Sequence, residues 1–399
     1  MSNLTDLISG GGGDAAPLPY KQFVIGQSKT WTAPATGKIK VIITGGGGQG
    51  AFVANQNRFA QSNYGSGTGG GGGGYSEKVF EVTAGETFTV TIGAGGFSST
   101  GVNSINSTRV GNNAGNSSFV TASAAVSVNL IANGGGGGQM VSGGNNNAHV
   151  VAGGTGGTAS GGDFNFTGGA GGSVTRAAGS QYSAAVTGGG SVALYGTSYT
   201  GGNITIDHGG AVPSNRFLAT GGAGVGGSAG AVNSVGSDRL ALLSGGGSAT
   251  KDSTVLSSVV GAQTTIAGTA TSGGPTGSPT ISVIDAQGEG GFARFAYNST
   301  AYSADGSFGG GGGGSSAWNF ANSTSSYAYA GNGGGFGGGG ACSFVSQENY
   351  AATGEIRAGY GGVGGGGSGA YNGPFSTMTS ASGRVWASGG DGLCIVMFI

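Results

Sequence analysis

Apolar and polar positions alternate cleanly in a few stretches of this chain and lose that period between them. Residues 38–44 (KIKVIIT) are β-branched and apolar, as a strand requires. Residues 76–82 (SEKVFEV) and 86–92 (ETFTVTI) alternate about a small turn at 83–85, which predicts a hairpin. Residues 117–131 hold a further β-prone stretch that ends in VSVNLI. The C-terminal run 393–399 (LCIVMFI) is apolar throughout. Its length suits a fully buried strand and is too short for a membrane span. The best helical candidate, residues 238–244 (DRLALLS), makes two turns at most. The pattern therefore predicts an all-β protein.

Between about residues 134 and 390 the strand-like pieces shorten and glycine returns every few residues. Glycine accounts for 99 of the 399 residues, in blocks at 45–48, 69–74, 134–138, 309–314, 337–340 and 364–367. Neither a helix nor an ordinary strand is built from such blocks, because glycine loses the most backbone entropy and has no side chain to bury. Disordered linkers and packed polyglycine are the two remaining outcomes. Gly plus Pro reaches the range of low-complexity chains, yet charged residues are only 7%, and 18 Phe, 13 Tyr and 3 Trp are enough for a core. Residues 153–173 (GGTGGTASGGDFNFTGGAGGS) come close to a three-residue period. That period suits a polyproline-II-type helix, which has no internal hydrogen bonds and must pair its backbone with adjacent segments. Runs of about 9–12 residues would span roughly 28–37 Å at about 3.1 Å per residue. The expectation is one chain folding back repeatedly into a bundle of polyglycine II helices, with the insertions as loops at its ends.

Residues 31–37 (WTAPATG), followed by 38–44 and the glycines at 45–48, resemble the opening of the glycine-rich domain of bacteriophage tail-fibre and adhesin proteins. The run 70–96, the stretch 113–119 (NAGNSSF) and residues 131–138 (IANGGGGG) continue the likeness, and 389–393 (GGDGL) leads into a similar terminal strand. The resemblance covers about residues 30–138 and 389–399 by motif and the middle by composition. Related architecture occurs in the glycine-rich ectodomain of some animal receptor kinases, where it binds a cytokine. The resemblance implies a jelly-roll-like β-sandwich carrying long polyglycine II insertions, whose far loops contact a host receptor. On that basis residues 1–19 are expected to form a virion-attachment or docking peptide, 20–138 with 389–399 the sandwich, and 139–388 the bundle with its surface loops. Residues 1–13 (MSNLTDLISGGGG) have no basic n-region and no adequate apolar h-region. A virion protein made in the host cytoplasm without a signal peptide is the expected setting.

Catalytic chemistry is not indicated. His149 and His208 are the two histidines, and neither has a partner at metal-ligand spacing. Residues 226–230 (GGSAG) match the nucleophile-elbow pattern, as chance provides in a chain this rich in Gly and Ser, but no strand-turn-helix context surrounds them. Cys342 and Cys394 make no disulfide framework, and Cys394 reads as a small buried hydrophobe. A net charge of −1 with no basic cluster argues against a nucleic-acid partner. No cofactor, metal or membrane insertion is expected.

Recognition chemistry is better represented. Polar-aromatic insertions separate the glycine blocks: 51–64 with Arg58, Phe59 and Tyr64; 195–199 with Tyr195 and Tyr199; and 318–329 with Trp318, Phe320, Tyr327 and Tyr329. Tyr and Trp give rigid amphipathic contact area and Asn and Ser adaptable hydrogen bonds, a mixture that suits binding loops and glycans. These nine residues are the receptor-binding candidates. The competing reading makes such aromatics a cover for the side-chain-poor bundle; Phe292, Phe295 and Phe336 are expected to be core, and Trp318, Tyr327 and Tyr329 to include exposed members. Two functions remain open. One is a phage fibre adhesin that binds a glycan or membrane protein of the host, docks to other virion proteins through its N-terminus and forms a homo-oligomer such as a trimer. The other is a non-enzymatic capsid or tail decoration or self-assembling fibre subunit. Ice binding by a flat glycine bundle is a distant third.

Overall fold

The computed structural model describes residues 22–54, 64–97, 109–143, 148–178, 183–193, 199–207, 216–225, 229–235, 240–244, 246–247, 263–266, 291, 293–297, 301–306, 311–319, 326–346, 354–372 and 387–399. Among them every regular element is a β-strand. Residues 240–244, within the helical candidate, form the strand Leu240–Ser244.

Two five-stranded antiparallel sheets make a β-sandwich. The first runs in the order Gln22–Ile25, Leu393–Phe398, Gly37–Thr44, Tyr75–Val82, Phe164–Phe166. The second runs Ala159–Ser160, Asn129–Ala132, Ser117–Ser123, Thr87–Thr91, Lys29–Thr32. One apolar cluster fills the space between them. Ile39, Val41, Ile43, Cys394 and Val396 come from the first sheet, and Trp31, Phe88, Val90, Phe119 and Leu130 from the second. The rings of Phe88 and Phe119 stack with centroids 4.8 Å apart at its centre.

The predicted hairpin does not form. Tyr75–Val82 pairs with Gly37–Thr44, and Thr87–Thr91 pairs with Lys29–Thr32, so the turn between them crosses from one sheet to the other. Alternation put Phe80 and Phe88 each on an apolar face, and those faces meet across the sandwich at 5.8 Å rather than lying side by side. Gly85, at φ 88°, provides the left-handed residue the crossing needs. The C-terminal strand also differs from the fully buried reading. It alternates, with Cys394 and Val396 in the core and Ile395 and Met397 half-buried on the other face.

The glycine segments bond sideways in a fixed rhythm. Gly71 and Gly74 donate to Gly136 and Asn133, while Gly70 and Gly73 donate to Gly367 and Gly364. Gly154 and Gly157 donate to Gly69 and Gly72, and Gly48 and Gly45 donate to Gly71 and Gly74. Each pair returns to the same neighbour after three residues. Gly72 also donates to Gly169, and Gly190 to Gly70, so the 69–74 segment touches six neighbours. A sheet strand has two. Burial follows the same rhythm: Val151, Gly154 and Gly157 are buried while Ala152, Thr155 and Thr158 are exposed. Backbones approach so closely that a Cβ on Gly71 would lie 2.0 Å from the Thr155 carbonyl oxygen. Val192, Val225 and Phe336 of this array pack with Tyr75, Ile42, Phe166 and Leu393 on the outer face of the first sandwich sheet. Phe336 is 8% exposed, as expected of a core residue.

Beyond the array stand four narrow sheets packed in sequence. The first holds His149–Val151, Val174–Arg176, Ile204–Asp207 and Val232–Val235. The second holds Met140–Gly143, Tyr64–Gly67, Ser183–Val186, Arg216–Ala219, Leu240–Ser244 and Gln263–Ile266. The third, wholly parallel, holds Arg294–Tyr297, Ser315–Asn319, Cys342–Ser346, Ala370–Asn372 and Phe52–Ala54. The fourth, also parallel, holds Ala301–Tyr302, Ser326–Tyr329 and Gly354–Arg357. Val151, Val174, Ile204 and Ile206 from the first sheet bury Ala185 and Leu218 from the second.

Two carboxylates secure backbone on the sandwich. Glu86 accepts N–H bonds from Ala125 at 2.7 Å and Thr83 at 2.9 Å, which hold its pKa below the ordinary 4.5. Asp163 accepts from Val79 at 2.9 Å, with Lys78 nearby, and its pKa lies below 3.8. A carboxylate with a depressed folded pKa contributes stability above its unfolded pKa and loses it as pH falls through the folded one. The melting temperature is therefore expected to fall between about pH 5 and about pH 3. Glu86→Gln with Asp163→Asn should flatten that slope in pH-dependent calorimetry, and an unchanged slope would contradict the assignment.

Candidate receptor-binding surface

The direction of the chain through the four stacked sheets defines one end of the molecule. Every strand of the third sheet leaves a glycine-bearing segment and runs away from the sandwich. Strands of the fourth sheet run back into the glycine array, as Ser326–Tyr329 does on entering residues 330–335. The second sheet repeats this, with Tyr64–Gly67, Ser183–Val186 and Arg216–Ala219 parallel and returning to glycine. The chain therefore leaves and re-enters the described structure at one far end, at Ala54 and Tyr64, at Asn319 and Ser326, and at Ser346 and Gly354.

The sequence-derived candidates divide on this frame. Arg58, Phe59, Tyr195 and Phe320 lie outside the described residues. Tyr64 opens its strand at the far end, opposite Gly143. Trp318 stands next to the far end of Ser315–Asn319, in register with Tyr297 and Val345, and Tyr327 pairs with Glu355. Tyr199 lies elsewhere. It is half-buried within the glycine array, where its carbonyl accepts the N–H of Ser191, next to Val192, which packs on the sandwich. Composition alone does not distinguish an insertion at this end of the array from one at the other.

Tyr329 belongs to a group the sequence reading did not assemble. Its ring stacks on Tyr302 with centroids 4.8 Å apart and planes 10° from parallel. The Arg357 guanidinium lies over the Tyr329 ring, 5.2 Å from its centroid. Tyr302, Tyr329 and Arg357 are register partners across the fourth sheet. Behind them, Asp305 Oδ1 accepts the Asn332 N–H at 2.6 Å and Asn332 Oδ1 accepts the Tyr360 N–H at 3.0 Å. Burial pushes the Tyr360 phenol above its usual pKa, with the Arg357 charge acting in the opposite direction. The sequence offers only a faint signal for this row: AYSADG at 301–306 and AYAGNG at 328–333 share an Ala-Tyr start and a closing Gly, and the closing Gly is all that IRAGYG at 356–361 shares with both.

Among the described residues no three His, Cys, Asp or Glu side chains converge as a metal site. The His149 ring is 3.5 Å from Ser66 Oγ, and His208 lies outside the described residues, as do residues 226–228 of the elbow-like stretch. Burial raises both thiols, Cys394 to about 12, so both are protonated at neutral pH.

Residues 23–238 match the family described as Glycine-rich domain. The matched stretch is more than half of the chain. The chain belongs to the glycine-rich domain family. The family match spans nine of the ten sandwich strands in part or whole and reaches through the first stacked sheet. The third and fourth sheets, with the Tyr302 row, lie almost wholly beyond it. No curated protein matches the chain.

Proposed function

We propose that this glycine-rich domain protein is a fibre adhesin of a bacteriophage or related virion, attaching to a glycan or membrane protein on the host surface. The observation that carries this reading is that third-sheet strands run outward and fourth-sheet strands run back, so several connecting segments leave and re-enter at one end of a rigid frame. Binding residues are favoured on such connections when a stiff scaffold positions them. The connections are rich in Asn and Ser and carry single aromatics such as Phe59, Phe320 and Tyr350, a mixture suited to adaptable surface recognition. In the same reading the glycine segments are polyglycine II helices. Three residues per turn aim successive N–H and C=O groups in different directions around the axis, and the six-neighbour bonding of residues 69–74 agrees with that geometry. Residues 1–19 would dock the protein to the particle and a homo-oligomer would present several copies, with no cofactor involved.

Purified protein is expected to inhibit adsorption of the virus to its host cells in proportion to its concentration. Saturating protein that leaves adsorption unchanged would sink the adhesin reading. The alternative, a decoration or fibre subunit, draws on the strand Gln22–Ile25, an edge of its sheet among the described residues, where Val24 is 63% exposed. Filaments or closed rings of the purified protein in electron micrographs favour it, whereas discrete tips favour the adhesin.

A further inference from the structure

We propose that the outer face of the fourth stacked sheet is a lateral binding site for an acidic oligosaccharide, separate from the far-end connections. Tyr302 is 58% exposed and lies on an edge strand, with one ring face against Tyr329. Arg357, itself exposed, ends the row on the opposite edge. An aromatic ring face attracts the C–H face of a pyranose through its quadrupole. A guanidinium recognises a carboxylate through paired N–H donors. The two groups are separated by two inter-strand spacings, on the order of 10 Å, a span that linked sugars bridge and a small free anion does not. The register makes the spacing rigid: Ser303 N–H bonds the Tyr329 carbonyl and Ala330 N–H bonds the Arg357 carbonyl, each at 2.9 Å. Tyr360, 39% exposed beside Arg357, offers a hydroxyl for a further hydrogen bond.

Charge selects among ligands. Single-stranded nucleic acid also stacks on tyrosine and arginine, but it needs a cationic groove that follows every phosphate. Here Asp305 flanks the row, Arg357 is the cation seen over it among the described residues, and the chain carries a net charge of −1. A glycan with spaced carboxylates fits this better than a continuous polyanion. A purely structural stack would strengthen cross-strand pairing and bind nothing.

The test is titration calorimetry of the full chain with a mannuronate hexasaccharide, its neutral mannose counterpart and an oligothymidylate. The acidic sugar should bind with a Kd on the order of 0.1–1 mM, at least about tenfold tighter than the other two probes. Tyr302→Ala should weaken it at least about tenfold and Tyr302→Phe should leave it unchanged, both with unaltered melting. Arg357→Gln should reduce it to the level of the neutral sugar. Absence of binding, equal binding of acidic and neutral sugars, tighter binding of the oligothymidylate, or full affinity in Tyr302→Ala would overturn the proposal. Protein with its far-end connections replaced should bind the acidic probe as the wild type does, so this site and the adhesin reading fail separately.

Discussion

Gly71→Val abolishes the cooperative melting transition and drives the protein into the insoluble fraction: this is the expected result of placing one side chain inside the glycine array. A Cβ at Gly71 would stand 2.0 Å from the Thr155 carbonyl oxygen and 2.4 Å from its carbon. No flexible side chain is available to move aside, because the obstacle is backbone. That backbone is itself held, since the Thr155 carbonyl accepts the Gly136 N–H at 2.7 Å. Relief therefore requires parting several segments and breaking the bonds between them. Overpacking ordinarily costs about 1–3 kcal/mol, and displaced backbone with lost hydrogen bonds raises the cost beyond that, against a total stability of about 5–15 kcal/mol. Gly26 is the matched control, with nothing within 4 Å of its Cβ position. Gly26→Ala should shift stability by less than about 0.5 kcal/mol. Equal melting of the two variants by circular dichroism would refute the packed array.

Replacement of the far-end connections has the opposite signature. Substituting Gly-Ser linkers of equal length for residues 55–63, 320–325 and 347–353 should reduce inhibition of host adsorption at least about tenfold while sparing the melting temperature. The strands that flank them keep their partners: Ser315–Asn319 remains paired to Cys342–Ser346, and Ser326–Tyr329 to Gly354–Arg357. Loss of function without loss of fold separates recognition from scaffold. Undiminished inhibition by the fully replaced protein would remove these connections from the recognition surface.

Much of the sandwich was legible because its strands carry their own signal. Residues 38–44 and 76–82 alternate strongly enough to announce both strand and core face, and the observed strands Gly37–Thr44 and Tyr75–Val82 begin within one residue of them. Partner choice was not legible there. A turn at 83–85 looks the same whether it joins neighbours in one sheet or crosses between two, and the mutual burial of Phe80 and Phe88 decides it. The stacked sheets escaped detection for another reason. Strands such as Ala301–Tyr302 and Phe52–Ala54 are too short to show a period. Parallel neighbours fix them, and those neighbours are distant in sequence. Of the Tyr302 row, Tyr329 falls in the aromatic-rich stretch 318–329, whereas Tyr302 and Arg357 join it only through parallel pairing with strands distant in sequence.

The claim on which the rest depends is that glycine segments form a hydrogen-bonded frame rather than spacers. Amide hydrogen exchange of assigned glycines measures it directly. Gly71, Gly136 and Gly367 should exchange as slowly as Val41 in the sandwich, because opening any one of these segments disturbs the others bonded to it. Exchange at the unfolded-chain rate for these three amides, with Val41 still protected, would contradict the account.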